Sequence, residues 1–313
     1  EPRVPDGCFV NARSLNPSIN MADMEAAEKR RVVAMVKTAP DKGYYVDIFR
    51  SNQADNDYLF HNVGQSLRLE TVDGQALPSV SADKLNPSYH YGYEWFTRLR
   101  RTDCTDDFRA VWDITSGDSP LSMRMWMAGA DGREVYCMDA PYMTLNKGLT
   151  PENVSSAPGI TPTLLVRQNG LNAWDSPFVS VFEPTRGRAS VTGAKKLVAN
   201  DKVAALCVES EGGRRDYIVC ATSPDASCSV SKQLKTQAAF VLVTETDGRM
   251  EQLYMVDGRM LRKGKCSIES PKPVSVSVYR EGDVWIYSST RDAVIRIGKK
   301  TYRVKEGYGQ PLK

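Results

Sequence analysis

Ser66-Leu-Arg-Leu-Glu-Thr-Val72 alternates apolar and polar side chains and runs straight into Asp73-Gly74. Alternation at a period of two sends every second side chain to one face of a pleated strand, and Asp-Gly is a strong signal for a tight hairpin turn. Leu121-Ser-Met-Arg-Met-Trp-Met127 repeats the pattern and stops near Gly129, with Asp131-Gly132 following. Outward from these two stretches, residues 31–37, 44–49, 163–167, 178–182, 203–208 and 216–221 are short runs rich in β-branched or aromatic residues, and so are residues 239–244, 251–256, 274–279 and 284–287. Asp247-Gly248 and Asp257-Gly258 fall between or after such runs and read as further hairpin turns.

More than a dozen strands at roughly ten-residue spacing, with no helices between them, point to antiparallel sandwiches and not to a parallel α/β sheet. The expected class is all-β, a large antiparallel β-sandwich followed by a smaller β domain. No fixed-period motif recurs, which argues against a propeller or solenoid. Residues 149–162 form a Pro/Gly/Ser-rich loop, and Glu183-Pro-Thr-Arg-Gly-Arg188 is a second break. The expected domains are therefore residues 1–190 and 191–313. One short helix is expected at residues 21–29, capped by Asn20 and containing Ala22, Met24, Ala26 and Ala27.

The 313 residues carry 41 basic and 38 acidic side chains, a net charge of +3. That balance opposes a general nucleic-acid binder, which shows a dominant basic face. Arg98, Arg100 and Arg101, and Lys299, Lys300, Arg303 and Lys305, are local basic clusters: solvated strand faces in the plain reading, attractors of a polyanion in the other. No apolar run reaches the roughly 18 residues of a membrane-spanning helix, so no membrane span is expected. Seven cysteines show no CxxC spacing. Cys220 and Cys228 flank a Ser-Pro-Asp turn and suggest a small disulfide loop, although cysteines in a large domain also serve as small buried hydrophobes.

Three segments together resemble the heparinase II/III-type polysaccharide lyases, over residues 28–190. The first is Gly43-Tyr-Tyr-Val-Asp-Ile-Phe-Arg50 followed by Asp57-Tyr-Leu-Phe-His61-Asn-Val-Gly64. The second is Val166-Arg-Gln-Asn-Gly170, then Ala173-Trp-Asp-Ser-Pro-Phe-Val179 and Val181-Phe-Glu-Pro184, and the third is Trp126-Met-Ala-Gly-Ala-Asp-Gly132 leading to Ala140-Pro141. The resemblance implies the β-sandwich half of an enzyme whose other half is a helical (α/α) toroid. It implies an acidic polysaccharide as partner, a periplasmic or secreted location with any leader removed, and little activity without the toroid.

Such lyases cleave uronate glycans by β-elimination: a base removes the C5 proton, an acid protonates the departing O4, and polar groups neutralise the carboxylate. Under the resemblance the catalytic candidates are His61, Tyr58 and Asn56. Asn56 stands where the family segment commonly has histidine, and it cannot take up a proton. Residues 57, 59 and 61 share a face in an extended segment, with Tyr58 turned the other way. Substrate-binding candidates are Arg50, Arg167, and His90 and Tyr91 of the aromatic loop Tyr89-His-Tyr-Gly-Tyr93. Each has a plainer reading: His61 and His90 as hydrogen-bonded structural histidines, the tyrosines as packing, and the arginines as anchors for a carboxylate such as Glu183. The two histidines with Asp47 and Asp57 make a structural divalent metal conceivable, although no tight ligand spacing supports it. A non-catalytic carbohydrate-binding protein and a purely structural or adhesive sandwich are the alternatives.

Overall fold

The structure, a computed structural model, describes residues 8–11, 16, 18–26, 28–83, 85, 93–116, 119–141 and 160–313. Among them the chain is all-β: antiparallel strands throughout and a single three-residue 3-10 turn at Tyr93–Trp95. No helix there is long and apolar enough to cross a membrane. Two compact units share the chain: Glu1–Asn52 with Ala173–Val181 and Ser190–Lys313, and Gln53–Asn172 with Phe182–Ala189. Ser190, next to the division expected from sequence, is where the chain re-enters the first unit, which also holds the first 52 residues.

In the first unit, strands Cys8–Asn11, Ile19–Ala26, Lys29–Ala39 and Lys42–Ser51 pair in chain order. Val32, Ala34 and Val36 are buried while Arg31, Met35 and Lys37 face outward, as alternation demands. The expected helix at 21–29 is not there. Ile19–Ala26 is a strand paired residue for residue with Val36–Lys29. Cross-strand pairing and burial of Ile19 and Met21 outweigh the helix propensity of the alanines and methionines.

Residues 191–311 of this unit build an eleven-stranded sheet whose longest members are Leu234–Thr246, Arg249–Lys263 and Cys266–Glu281. Asp247 and Gly248, at φ 50° and 76°, join the paired residues Thr246 and Arg249 as a two-residue hairpin turn. Asp257-Gly258 is not a turn. It is a bulge inside Arg249–Lys263, where the register shifts on both sides of Gly258. A Cβ on Gly258 would sit 2.3 Å from that of Ala238. Cys220 and Cys228 are free, buried thiols. They pair with Phe240 and Thr236, four residues apart on one strand and hence about 13 Å apart, too far for a disulfide.

A buried polar cluster fastens the N-terminal strands of this unit to its large sheet. Asp216, fully buried, accepts hydrogen bonds from Tyr44 Oη (2.9 Å), Arg214 Nε (2.9 Å) and Thr244 Oγ1 (2.5 Å). Burial, reinforced by the Asp216 charge, pushes the Tyr44 phenol well above its ordinary pKa. Arg30 reaches across to the carbonyls of Ala221 (2.9 Å) and Thr222 (3.1 Å) while holding Asp23.

The second unit contains a five-stranded sheet in the spatial order Asn56–His61, Ile160–Gln168, Arg133–Pro141, Thr97–Asp103, Val80–Ser81. Its second layer includes Ser66–Thr71, Phe108–Ser116 and Ser119–Met127. The layers meet through Phe60, whose ring lies 5.2 Å from Trp112 and 4.6 Å from Phe182, and through Trp112 Nε1 donating to the Pro162 carbonyl (2.9 Å).

Candidate functional site

Register decides what shares a face with His61. Thr163 stands opposite His61, Leu165 opposite Leu59 and Arg167 opposite Asp57. Farther across the same face come Tyr136 and Glu134, then Arg101 and Asp103. This outer face of the five-stranded sheet has a polar group at each end and an apolar middle in which Leu99, Tyr136, Met138 and Leu165 pack with Tyr93 and Phe96.

At one end Asp57 is saturated. Arg167 grips it bidentately, Nε to Oδ1 and Nη2 to Oδ2, both 2.8 Å, and Tyr93 Oη donates to Oδ2 at 2.8 Å. The Asp57 hydrogen bond leads the effects that raise the Arg167 pKa, ahead of the opposing cost of burial. The Arg167 guanidinium also stands 5.9 Å from the Tyr136 ring centre. Tyr136 Oη donates to Glu134 (3.0 Å), which pairs with Arg101 (3.0 Å). This end is a closed charge network.

The other end is open. His61 Nδ1 lies 2.9 Å from Thr163 Oγ1, and that hydroxyl gives its one proton to the Thr161 carbonyl at 2.9 Å. Thr163 must therefore accept from His61, which places the imidazole proton on Nδ1 and leaves the Nε2 lone pair without a partner among the described residues. Phe96 stacks on the ring at 6.1 Å between centres, while the residue as a whole remains exposed. Desolvation lowers the His61 pKa, so the neutral, proton-accepting form prevails near neutral pH. A neutral histidine engaged at Nδ1 and without a partner at Nε2 among the described residues is the arrangement a general base needs.

The other sequence candidates lie elsewhere. Asn56 and Tyr58 point to the inner face, both buried, with Asn56 Nδ2 donating to the Gln53 carbonyl (2.8 Å). The structure does not bring them to the face that carries His61. Arg50 belongs to the first unit, is 2% exposed, and donates to the Asn200 carbonyl (2.7 Å) and the Trp174 carbonyl. Burial lowers its pKa. It is an interior anchor. Arg167 is an anchor too, and its carboxylate partner is Asp57. His90 and Tyr91 lie outside the described residues. The metal donors conceivable from sequence do not fit a cation: Asp47 is held by Arg31 (3.0 and 2.6 Å) and Asp57 by Arg167. Among the described residues no three His, Cys, Asp or Glu side chains gather into a metal-holding group.

No family model matches the chain. The chain is similar to an endo-acting ulvan lyase of Formosa agariphila, 26% identical over 272 residues. That match covers 82% of this chain but 32% of the relative, so the chain spans about a third of the relative's length.

Sequence reasoning missed Thr163, which orients His61, and placed Tyr93 in an aromatic loop without its contact to Asp57. Thr163 lies on the same strand as Arg167, four residues earlier, and so shares its face, a signal present in the alternation. Tyr93 carried none, because its contact with Asp57 depends on how the chain folds back between the two.

Proposed function

We propose that the chain is the β-sheet portion of a polysaccharide lyase acting on acidic glycans, of the heparinase II/III type, exported to the periplasm or beyond, and nearly inactive without a helical toroid. The observation that carries this reading is the similarity to an endo-acting ulvan lyase across 82% of the chain. The state of His61 supports it chemically. In the reaction, His61 Nε2 takes the C5 proton of a uronate, the C4–O4 bond breaks as the C4–C5 double bond forms, and an acid from the toroid side protonates O4. Thr163 holds the imidazole proton on Nδ1, so Nε2 accepts, and it stays hydrogen-bonded to the imidazolium that forms.

The test uses ulvan, heparin, alginate and pectic polysaccharide. The 313-residue chain is expected to bind one or more of these while producing few new unsaturated uronate ends by ultraviolet absorbance. The full-length product of its gene is expected to cleave. Robust turnover by the isolated chain would contradict the missing-half reading.

A second reading, a non-catalytic carbohydrate-binding protein of a glycan-degradation system, is favoured by Asn56. This residue occupies the family's histidine position, cannot exchange a proton, and is committed to the Gln53 carbonyl. Binding without cleavage by the full-length gene product would establish that alternative.

A further inference from the structure

In the basic run Arg98-Leu-Arg-Arg101, Arg101 belongs to the charge network of the outer face, whereas Arg98 and Arg100 line a separate cleft. Across from it, Cys137 faces Arg100 and Asp139 faces Thr97, so Arg98 and Leu99 together oppose Met138 alone. This is a β-bulge, and its first residue adopts φ 53°. That left-handed position is the place glycine normally fills in such a bulge, because a Cβ there is strained. Arginine stands there instead, its guanidinium turned to Asp139. Bulges of this kind re-aim side chains beside binding and active sites.

The space beside it is a cleft of about 540 Å³ at the edge of the second unit. Its apolar lining is Leu67, Leu99, Cys137 and Met138, and its polar lining includes Arg98, Arg100, Ser79, Ser81 and Asp139. Ser81 pairs with Arg100 across neighbouring strands. Arg98 and Arg100 are both exposed, and Arg100 has no carboxylate partner among the described residues. The cleft thus combines one unpaired guanidinium, a second whose partner a ligand can replace, and two hydroxyls over buried apolar residues.

We propose that this cleft binds an anionic sugar unit, with Arg98 and Arg100 holding its sulfate or carboxylate and Ser79 and Ser81 meeting its hydroxyls. The strained backbone at Arg98 is kept because it aims that guanidinium into the cleft. The choice of a sugar rests on the glycan reading above, whereas the anion follows from the lining itself. Asp139 competes with the ligand for Arg98.

The experiment titrates the 313-residue chain with dextran sulfate, polygalacturonate and neutral dextran at low and high salt. The two polyanions distinguish sulfate from carboxylate. The wild type is expected to bind at least one polyanion, more weakly as salt rises, and to ignore the neutral dextran. Arg98→Gly and Arg100→Ala should each weaken binding about tenfold, the worth of one charge-assisted hydrogen bond. Asp139→Asn should tighten it. Arg98→Gly also fits the backbone angle but leaves the buried Asp139 unpaired; combined with Asp139→Asn, its melting temperature should hold while affinity falls, which separates a ligand role from a structural one. Wild-type affinity in both arginine variants, equal retention of neutral dextran, or no polyanion binding at all would overturn the site. The lyase reading is judged separately, by unsaturated ends from the full-length gene product, so binding that ignores these variants removes the cleft and leaves that reading intact.

Discussion

Two sets of arginines in this protein sit in opposite circumstances. Arg50 and Arg167, which lie in the segments that resemble known lyases, are buried and held from inside, Arg50 through Nη1 by backbone carbonyls, with its Nη2 unpartnered among the described residues, and Arg167 by Asp57. Arg98 and Arg100, in a run that reads as an ordinary solvated face, are exposed at a cleft, one of them on a strained backbone. A buried guanidinium that already meets its acceptors has little to offer a ligand, because transferring it would leave a desolvated partner behind. An exposed one without a partner among the described residues, such as Arg100, costs less to recruit, because no buried acceptor is left behind. Arginine at these strand ends holds the sheets, whereas arginine at the irregular edge is left exposed.

The sharpest way to break that contrast is to remove the carboxylates on the occupied side. Asp216→Ala strips three donors of their acceptor in a fully buried setting and is expected to destabilise the fold by about 4 kcal/mol, read from urea unfolding. Asp57→Ala leaves Arg167 buried with its bidentate partner gone. A loss of about 3 kcal/mol is expected there, smaller because Asp57 lies nearer the surface. If either variant unfolds at wild-type urea concentrations, the occupied clusters are not structural. On the exposed side, Arg98→Gly relieves the left-handed strain but leaves the buried Asp139 carboxylate unpaired, so Arg98→Gly combined with Asp139→Asn is the variant expected to stay within about 1 kcal/mol of wild type.

The smallest effect concerns pH. The folded His61 pKa lies below the ordinary histidine value, so between the two the unfolded chain binds more protons. The stability that depends on neutral His61 is therefore complete above the unfolded pKa and declines as pH falls through the folded one. His61→Gln should lessen the drop in unfolding midpoint between about pH 7.5 and about pH 5. An unchanged drop would mean the ring is not desolvated.

Most of the strand architecture was legible because alternation is local and each Asp-Gly or break is read within a few residues. The exceptions share a physical cause. Ala22, Met24 and Ala26 favour a helix in isolation, and only pairing with Lys29–Ala39 makes them a strand. Asp257-Gly258 carries the same residue pair as the true turn at Asp247-Gly248, and a bulge needs the same positive backbone angle as a turn, so the two cannot be told apart until register is known. His61 was found because histidine is scarce. The contact that orients its ring is with Thr163 and spans 102 residues. The Asp57–Arg167 pair spans 110, and nothing in either segment announces the other. Arg98 was visible as charge, but its strain became visible only with the Cys137 and Asp139 register.

The most direct test of the proposed chemistry is the turnover of acidic polysaccharide by the full-length gene product carrying His61→Ala. A positioned general base contributes roughly 10²–10⁴ in rate, so kcat should fall by at least about a hundredfold while glycan affinity stays near wild type. Wild-type kcat in that variant would contradict the assignment of His61 as the base.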